Sequence, residues 1–205
     1  MPNHTIKNVT FFGGAEVDED SKLFQDAFQV AKVLAQHDYT IIDGGGPGVM
    51  LAATNGAESV NGDTMSVTLT SQFAPGFEGK YIKNITDKEI KTPDYTRRIH
   101  GLIEHGDCYV IFQGGTGTLS ELGMVWCLAR LYYPHHKPFI LYGDFWQDII
   151  DSMNKNLLMR KHEQDVYRIA NSPEAVIKAI EEFDAEFQSV DHKNCNICAE
   201  SAYMR

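Results

Sequence analysis

The stretch QGGTGTLSE, residues 113–121, gathers residues whose types and spacing can do chemistry. Gly114, Gly115 and Gly117 let the backbone approach a ligand closely, and Thr116 and Thr118 add hydroxyl donors. An apolar run (108–112) precedes the stretch and a helical pattern follows it, so free N–H groups collect at a helix start. Aligned peptide dipoles make such a start favourable for an anion. Phosphate suits it. Glu121 stands one turn further on, and a carboxylate beside a phosphate is repelled unless positive charge lies between them. Arg98, fifteen residues before Gln113, is the candidate counter-charge, and of the pair Arg97 and Arg98 one is expected to point inward.

A second reading needs no ligand. Thr118, Leu119, Ser120 and Glu121 spell a capping box, in which Thr118 caps the helix and Glu121 reaches back to the cap's N–H. This accounts for Thr118 and Glu121 but not for three glycines, each about 0.5–1 kcal/mol less favourable than alanine in ordered structure. Familiar phosphate motifs do not apply. The chain has no GxxxxGK[ST], and the stretch does not match GxGxxG with its later acidic residue.

The elements that must position these residues alternate. Strand patterns at 8–14, 39–48, 64–70, 108–112 and 137–143 are separated by helical patterns, with one or two short strands within 80–90. Asp94 reads as a helix cap, Asp144 as a helix start, and Ser172-Pro173-Glu174 as a helix start with proline in its first turn. Alternation of this kind predicts an α/β fold: a Rossmann-like parallel sheet with helices on both faces, in a single domain. That domain spans 1–187, and 188–205 reads as a C-terminal tail carrying a CxxC pair. Ligands of such sheets bind at the carboxyl ends of the strands, and a second glycine cluster, Gly44, Gly45 and Gly46, falls at the same edge.

Bulk properties narrow the classes. The 205 residues suffice for one sizeable core, and 43% apolar with 22% charged residues is ordinary for a globular protein. Eighteen basic against twenty-eight acidic residues, a net charge of −10, argue against a nucleic-acid surface. No apolar run approaches the ~20 residues that span a bilayer. The first residues do not read as a secretory signal, so a cytoplasmic location is expected. Cys108 and Cys127 read as small core residues, and His192, Cys195 and Cys198 as a tail short of a metal-ligand set.

Taken as a set, GGTGTLSE with Arg98 upstream, FFGG at 11–14, GGGPGVM at 44–50 and KPFILYG at 137–143 resemble the LOG family. Its members are cytokinin riboside 5′-monophosphate phosphoribohydrolases, formerly labelled lysine decarboxylases, and the likeness covers roughly residues 8–183. The resemblance implies hydrolysis of the N-glycosidic bond of a nucleoside 5′-monophosphate to free base and ribose 5-phosphate. By the same resemblance Glu121 and Arg98 are catalytic, residues 114–118 cradle the phosphate, and 44–46 line the same pocket. A homodimer or larger assembly is implied, with no cofactor and no metal. Two positions depart from the family pattern: Gln113 replaces a proline, and Ile99 replaces a lysine beside Arg98. The alternative from another class is a nucleotide-binding or sensing module that keeps the cradle and has no use for Glu121. A pyridoxal-phosphate decarboxylase would want a lysine near a glycine turn, which the sequence does not place there. His100 and His105 are expected at the surface, Trp126, Tyr132 and Tyr133 at core or dimer contacts, and the segment 73–77 beside the base.

Overall fold

The computed structural model describes residues 6–70, 80–160 and 162–190. In these residues seven strands are formed: β1 (Asn8–Phe12), β2 (Thr40–Asp43), β3 (Thr64–Leu69), β4 (Lys88–Thr92), β5 (Cys108–Ile111), β6 (Phe139–Tyr142) and β7 (Tyr167–Ala170). Six helices accompany them: α1 (Lys22–Gln36), α2 (Val49–Glu58), α3 (Tyr95–His105), α4 (Thr116–Leu131), α5 (Phe145–Asn156) and α6 (Pro173–Gln188). The strands form one sheet in the order β4-β3-β2-β1-β5-β6-β7, with every neighbouring pair parallel.

Successive strand side chains point to opposite faces, so a continuous apolar strand feeds two cores at once. Cys108 and Val110 of β5 join Phe11, Ile41 and Ile140 under α1, α2 and α6. Tyr109 and Ile111 join Phe12, Ile42 and Leu141 under α3, α4 and α5. The Rossmann-like α/β architecture with helices on both faces is therefore the one observed.

Local side-chain signals set three of these six helix starts. Ser21 accepts from the N–H of Phe24, Asp94 from that of Arg97, and Ser172 from that of Ala175 with Pro173 opening α6. The starts of α2 and α4 differ: each begins on a glycine, Gly48 or Gly115, with no side-chain cap.

Several expectations are corrected. The short strand β7, with the polar Arg168 in its middle, was not legible, because pairing with β6 rather than its own pattern makes it a strand. The region 80–90 contracts to β4, which begins only at Lys88. Asp144 does stand at the start of α5, as its N-cap residue, but its carboxylate makes no capping bond and accepts from the Asn171 amide. Cys127 is exposed on α4, whereas Cys108 is core as expected. Among the described residues no helix is long and apolar enough to cross a membrane. The segment 73–77 and the tail residues His192, Cys195 and Cys198 lie outside the described residues.

Candidate functional site

From β1 the chain proceeds outward to β2, and after β4 it returns to place β5 on the other side of β1. Loops leaving β1 and β5 therefore diverge in opposite directions, which opens a crevice at the carboxyl edge of the sheet. A cavity of about 650 Å³ occupies it, within the usual size of small-molecule sites. The glycines interlock its walls. The N–H of Gly14 donates to the carbonyl of Gln113 at 2.9 Å, and that of Val49 to the carbonyl of Gly14 at 2.9 Å. Gly48 sits at φ +64°, and a Cβ there would come within 2.4 Å of the Gly14 carbonyl.

The three glycines of the 113–121 stretch serve different ends. A Cβ on Gly114 would lie 2.2 Å from Thr118 Oγ1 and 2.8 Å from the Gly14 nitrogen, so packing alone demands glycine there. A Cβ on Gly115 would meet nothing within 4 Å, and one on Gly117 only the Tyr95 hydroxyl at 3.8 Å. No protein atom forbids a side chain at either position, yet both border the cavity. Two substitutions separate the roles. Gly114→Ala is expected to destabilise by about 1–3 kcal/mol through overpacking. Gly117→Ala, inside the first turn of α4, is expected to stabilise by about 0.5–1 kcal/mol through helix propensity while weakening phosphate-ester binding. Thermal melts with calorimetric titration of AMP check both; unimpaired AMP binding by Gly117→Ala would remove the cradle reading.

The capping box is not formed. Helix α4 begins at Thr116 with Gly115 as its cap residue, so Thr118 already lies inside the first turn. Its side chain is buried under Gly114. Glu121 projects into the cavity wall with 8% of its surface exposed.

Arg98 is the inward arginine. Its Nε donates to the carbonyl of Val67 at 3.1 Å and one terminal nitrogen to that of Gly44 at 3.0 Å, with the Met50 sulfur at 3.5 Å. A Cβ on Gly44 would fall 1.6 Å from that guanidinium nitrogen, so glycine is required there for Arg98 to reach. Arg97 points out and pairs with Asp94 at 3.6 Å. Burial pushes the Glu121 carboxyl up to about 7, and Arg98 pulls it partly back. The guanidinium is itself held below its ordinary value by burial, against the attraction of Glu121, Tyr95 and Asp43.

The cavity thus unites Gly44, Arg98, Gly114, Gly115, Thr116, Gly117, Thr118 and Glu121. Gly45 and Gly46 are not on its wall. They turn away, the first donating to Asp43 at 2.6 Å and the second accepting from Asn84 at 2.9 Å. Ile99 is core, packed with Leu102 and Ile103, so the departure at that position does not touch the cavity. His100 is exposed beside Glu104, Trp126 is core, and Tyr133 is exposed. Sequence reasoning did not single out Tyr95, whose hydroxyl meets Ser120 Oγ at 3.0 Å on the cavity rim. It also passed over Asp43, although a carboxylate directly before a glycine cluster was a visible signal. Among the described residues no group of three His, Cys, Asp or Glu is placed to hold a metal ion.

Comparison with known proteins agrees with this architecture. An uncharacterized protein of Archaeoglobus fulgidus is 24% identical over 119 residues, covering 58% of this chain and 73% of its own length. The molybdenum cofactor binding protein of the phototrophic bacterium Rippkaea orientalis has the same fold, at a TM-score of 0.64 and 23% identity over 86% of this chain and 96% of its own. The molybdenum cofactor carrier protein of Chlamydomonas reinhardtii superposes with a TM-score of 0.62 and 20% identity over 88% of this chain and 99% of its own. At these identities the likeness concerns the fold. A family model described as "Possible lysine decarboxylase" matches residues 47–180, which include Gly48, Arg98 and the whole 113–121 stretch. With that match over more than half its length, the chain belongs to this family, the LOG family.

Proposed function

We propose that the protein hydrolyses the N-glycosidic bond of a purine nucleoside 5′-monophosphate, releasing the free base and ribose 5-phosphate. The observation that carries this reading is the presence of two buried, oppositely charged side chains, Glu121 and Arg98, on the cavity that the glycine start of α4 borders. The phosphate lies on the N–H groups of the α4 start, and its binding energy holds the ribose against Glu121. As the C1′–N bond breaks, its electron pair leaves with the base and positive charge develops on the ribose. The Glu121 carboxylate stabilises that charge and takes a proton from the water that adds to C1′, while the departing base takes a proton from solvent and Glu121 afterwards returns its own to solvent. A carboxyl near neutrality is suited to this work, because a base is most effective when its pKa lies near the working pH. Incubation with AMP, followed by chromatography for adenine and ribose 5-phosphate, tests the reading. Tight binding of nucleoside monophosphates with no product from any of them would overturn it.

A second reading has its own support. Two proteins of the same fold are a molybdenum cofactor binding protein and a molybdenum cofactor carrier. A binding module of that kind would keep the phosphate cradle and make no use of a basic carboxylate. Lysine decarboxylation through pyridoxal phosphate has less in its favour, since among the described residues those lining the cavity include no lysine. The buried Lys137 donates to the carbonyls of Ile103 and Glu104, next to the amino end of β6 and away from the cavity.

The same proposal includes self-association through α4. Its outward face carries Leu119 and Leu131, 53% and 64% exposed, with Met124 and Cys127 exposed between them. Two copies apposed along this face would cover the apolar stripe next to the cavity, since α4 starts at the cradle. Sedimentation equilibrium is expected to give a dimer for the wild type and a monomer for Leu131→Glu; a monomeric wild type would remove this part of the proposal.

A further inference from the structure

Behind the cavity wall, Asp43 ends β2 with no exposed surface. Its Oδ1 accepts from the N–H of Gly45 at 2.6 Å and from Asn84 Nδ2 at 3.1 Å. Its Oδ2 lies 2.7 Å from Thr54 Oγ1, and that hydroxyl also lies 2.8 Å from Asn84 Oδ1. The hydrogens do not suffice if Asp43 is ionised. A threonine hydroxyl has a single hydrogen, and an ionised carboxylate and an amide oxygen are both acceptors. Turning the Asn84 amide over does not help. Its nitrogen already faces two acceptors, Asp43 Oδ1 and the Gly46 carbonyl at 2.9 Å, and reversal would set oxygen against oxygen at both. One added proton on Asp43 Oδ2 resolves the set: Asp43 donates to Thr54, Thr54 donates to Asn84, and Asn84 donates to Asp43 and Gly46.

We infer that Asp43 is a neutral carboxylic acid in this structure, and that its proton closes a Asp43–Thr54–Asn84 clamp which positions the 44–46 turn and, through the Gly44 carbonyl, Arg98. The clamp joins distant parts of the chain. Asn84 belongs to the segment before β4, which is tied to the turn a second time by the Tyr81 N–H donating to the Gly45 carbonyl at 2.7 Å. Burial independently favours the neutral acid, pushing Asp43 up to about 6. The groups acting against it are the Thr54 hydroxyl of α2, the Gly45 amide, the Asn84 amide and the Arg98 guanidinium of α3, the one charge among them. Glu121 acts on Arg98 from the other side. Below the Asp43 midpoint the charge of Arg98 is not cancelled from behind and remains available to the cavity; above it, where Glu121 ionises as well, Arg98 is shared between the two carboxylates. This last consequence bears on turnover only if the phosphoribohydrolase reading holds; the proton and the clamp stand without it.

As pH rises through the Asp43 midpoint the proton leaves, Thr54 retains one acceptor, and the Asn84 contact is lost. The test therefore reads structure and not activity. Carbon-13 carboxyl spectra of aspartate-labelled protein, with Asp43→Asn identifying the resonance, are expected to show Asp43 protonated up to a midpoint near 6. Amide hydrogen exchange at Tyr81, expressed as protection so that intrinsic pH effects cancel, is expected to weaken roughly tenfold above that midpoint, as losing one buried hydrogen bond implies. Asp43→Asn supplies a permanent donor towards Thr54 and is expected to keep Tyr81 protection constant across pH. A carboxyl midpoint in the ordinary aspartate range overturns the inference, as does Tyr81 protection that does not change with pH in the wild type. Should Asp43→Asn fail to fold, the wild-type exchange profile decides alone.

Discussion

Glu121→Gln is expected to lower kcat for AMP hydrolysis by about 10²–10⁴-fold, to leave AMP binding intact, and to raise stability at pH 8. The three effects have one origin. Glutamine preserves the shape of the side chain but can neither carry charge nor accept the water proton. The stability gain follows from linkage. The Glu121 carboxyl is at 4.5 when free and about 7 in the folded protein, so the folded state holds the proton more tightly. Below the unfolded value both states are protonated and the side chain is neutral in each. Between the two values stability falls as pH rises, and above about 7 the full penalty, roughly 3 kcal/mol, is present. Glutamine escapes it, so the gain should appear in urea melts at pH 8 and vanish near pH 4. An equal gain at both pH values would show that charge is not its cause.

The same carboxylate sets the rate profile. Acting as a base, it should make kcat/KM rise about tenfold per pH unit below about 7 and level off above it. A bound phosphate adds negative charge nearby, so the kcat profile should lie at higher pH than that of kcat/KM. A rate that falls through this range would assign Glu121 the role of acid instead.

Arg98→Ala is expected to reduce kcat/KM for AMP by about 10²-fold or more and to destabilise the protein as well. The buried guanidinium supplies donors to the Val67 and Gly44 carbonyls and is the charge that holds the Glu121 carboxyl down. Removing one member of a buried pair of charges costs about 3–5 kcal/mol when the other stays charged. Glu121 relieves part of this by taking up a proton, which moves any residual activity to higher pH than in the wild type. Arg98→Lys keeps the charge but not the planar fork that reaches both carbonyls, so it should recover stability only in part. Carboxyl titration of Glu121 in the Arg98→Ala protein is the direct check. An unmoved midpoint would mean that the two groups do not act on each other.

Much of the fold was legible in local pattern. Strand and helix alternation, the caps at Asp94 and Ser172, and the glycine clusters at the carboxyl edge depend on residues that are neighbours along the chain. Where the pattern was weak the reading failed: β7 owes its conformation to β6, some 28 residues away. The family resemblance rested on the same local motifs, and the family match over residues 47–180 covers Arg98, GGTGTLSE and KPFILYG, but not FFGG at 11–14.

The sequence by itself determined the α/β alternation, the glycine turn at the start of α4 and the pairing of a nearby arginine with a glutamate in one set of motifs. Tertiary structure decided which of Arg97 and Arg98 is buried, that Gly44 lines the cavity while Gly45 and Gly46 do not, and that Thr118 is no cap. It also decided the environment of Asp43 and the burial that moves Glu121 towards neutrality. The reason lies in range: helix and turn preferences arise between adjacent residues. The desolvation of a charge and the hydrogens available to it depend on groups brought together by the sheet, as Arg98 and Gly44 are across 54 positions of the chain.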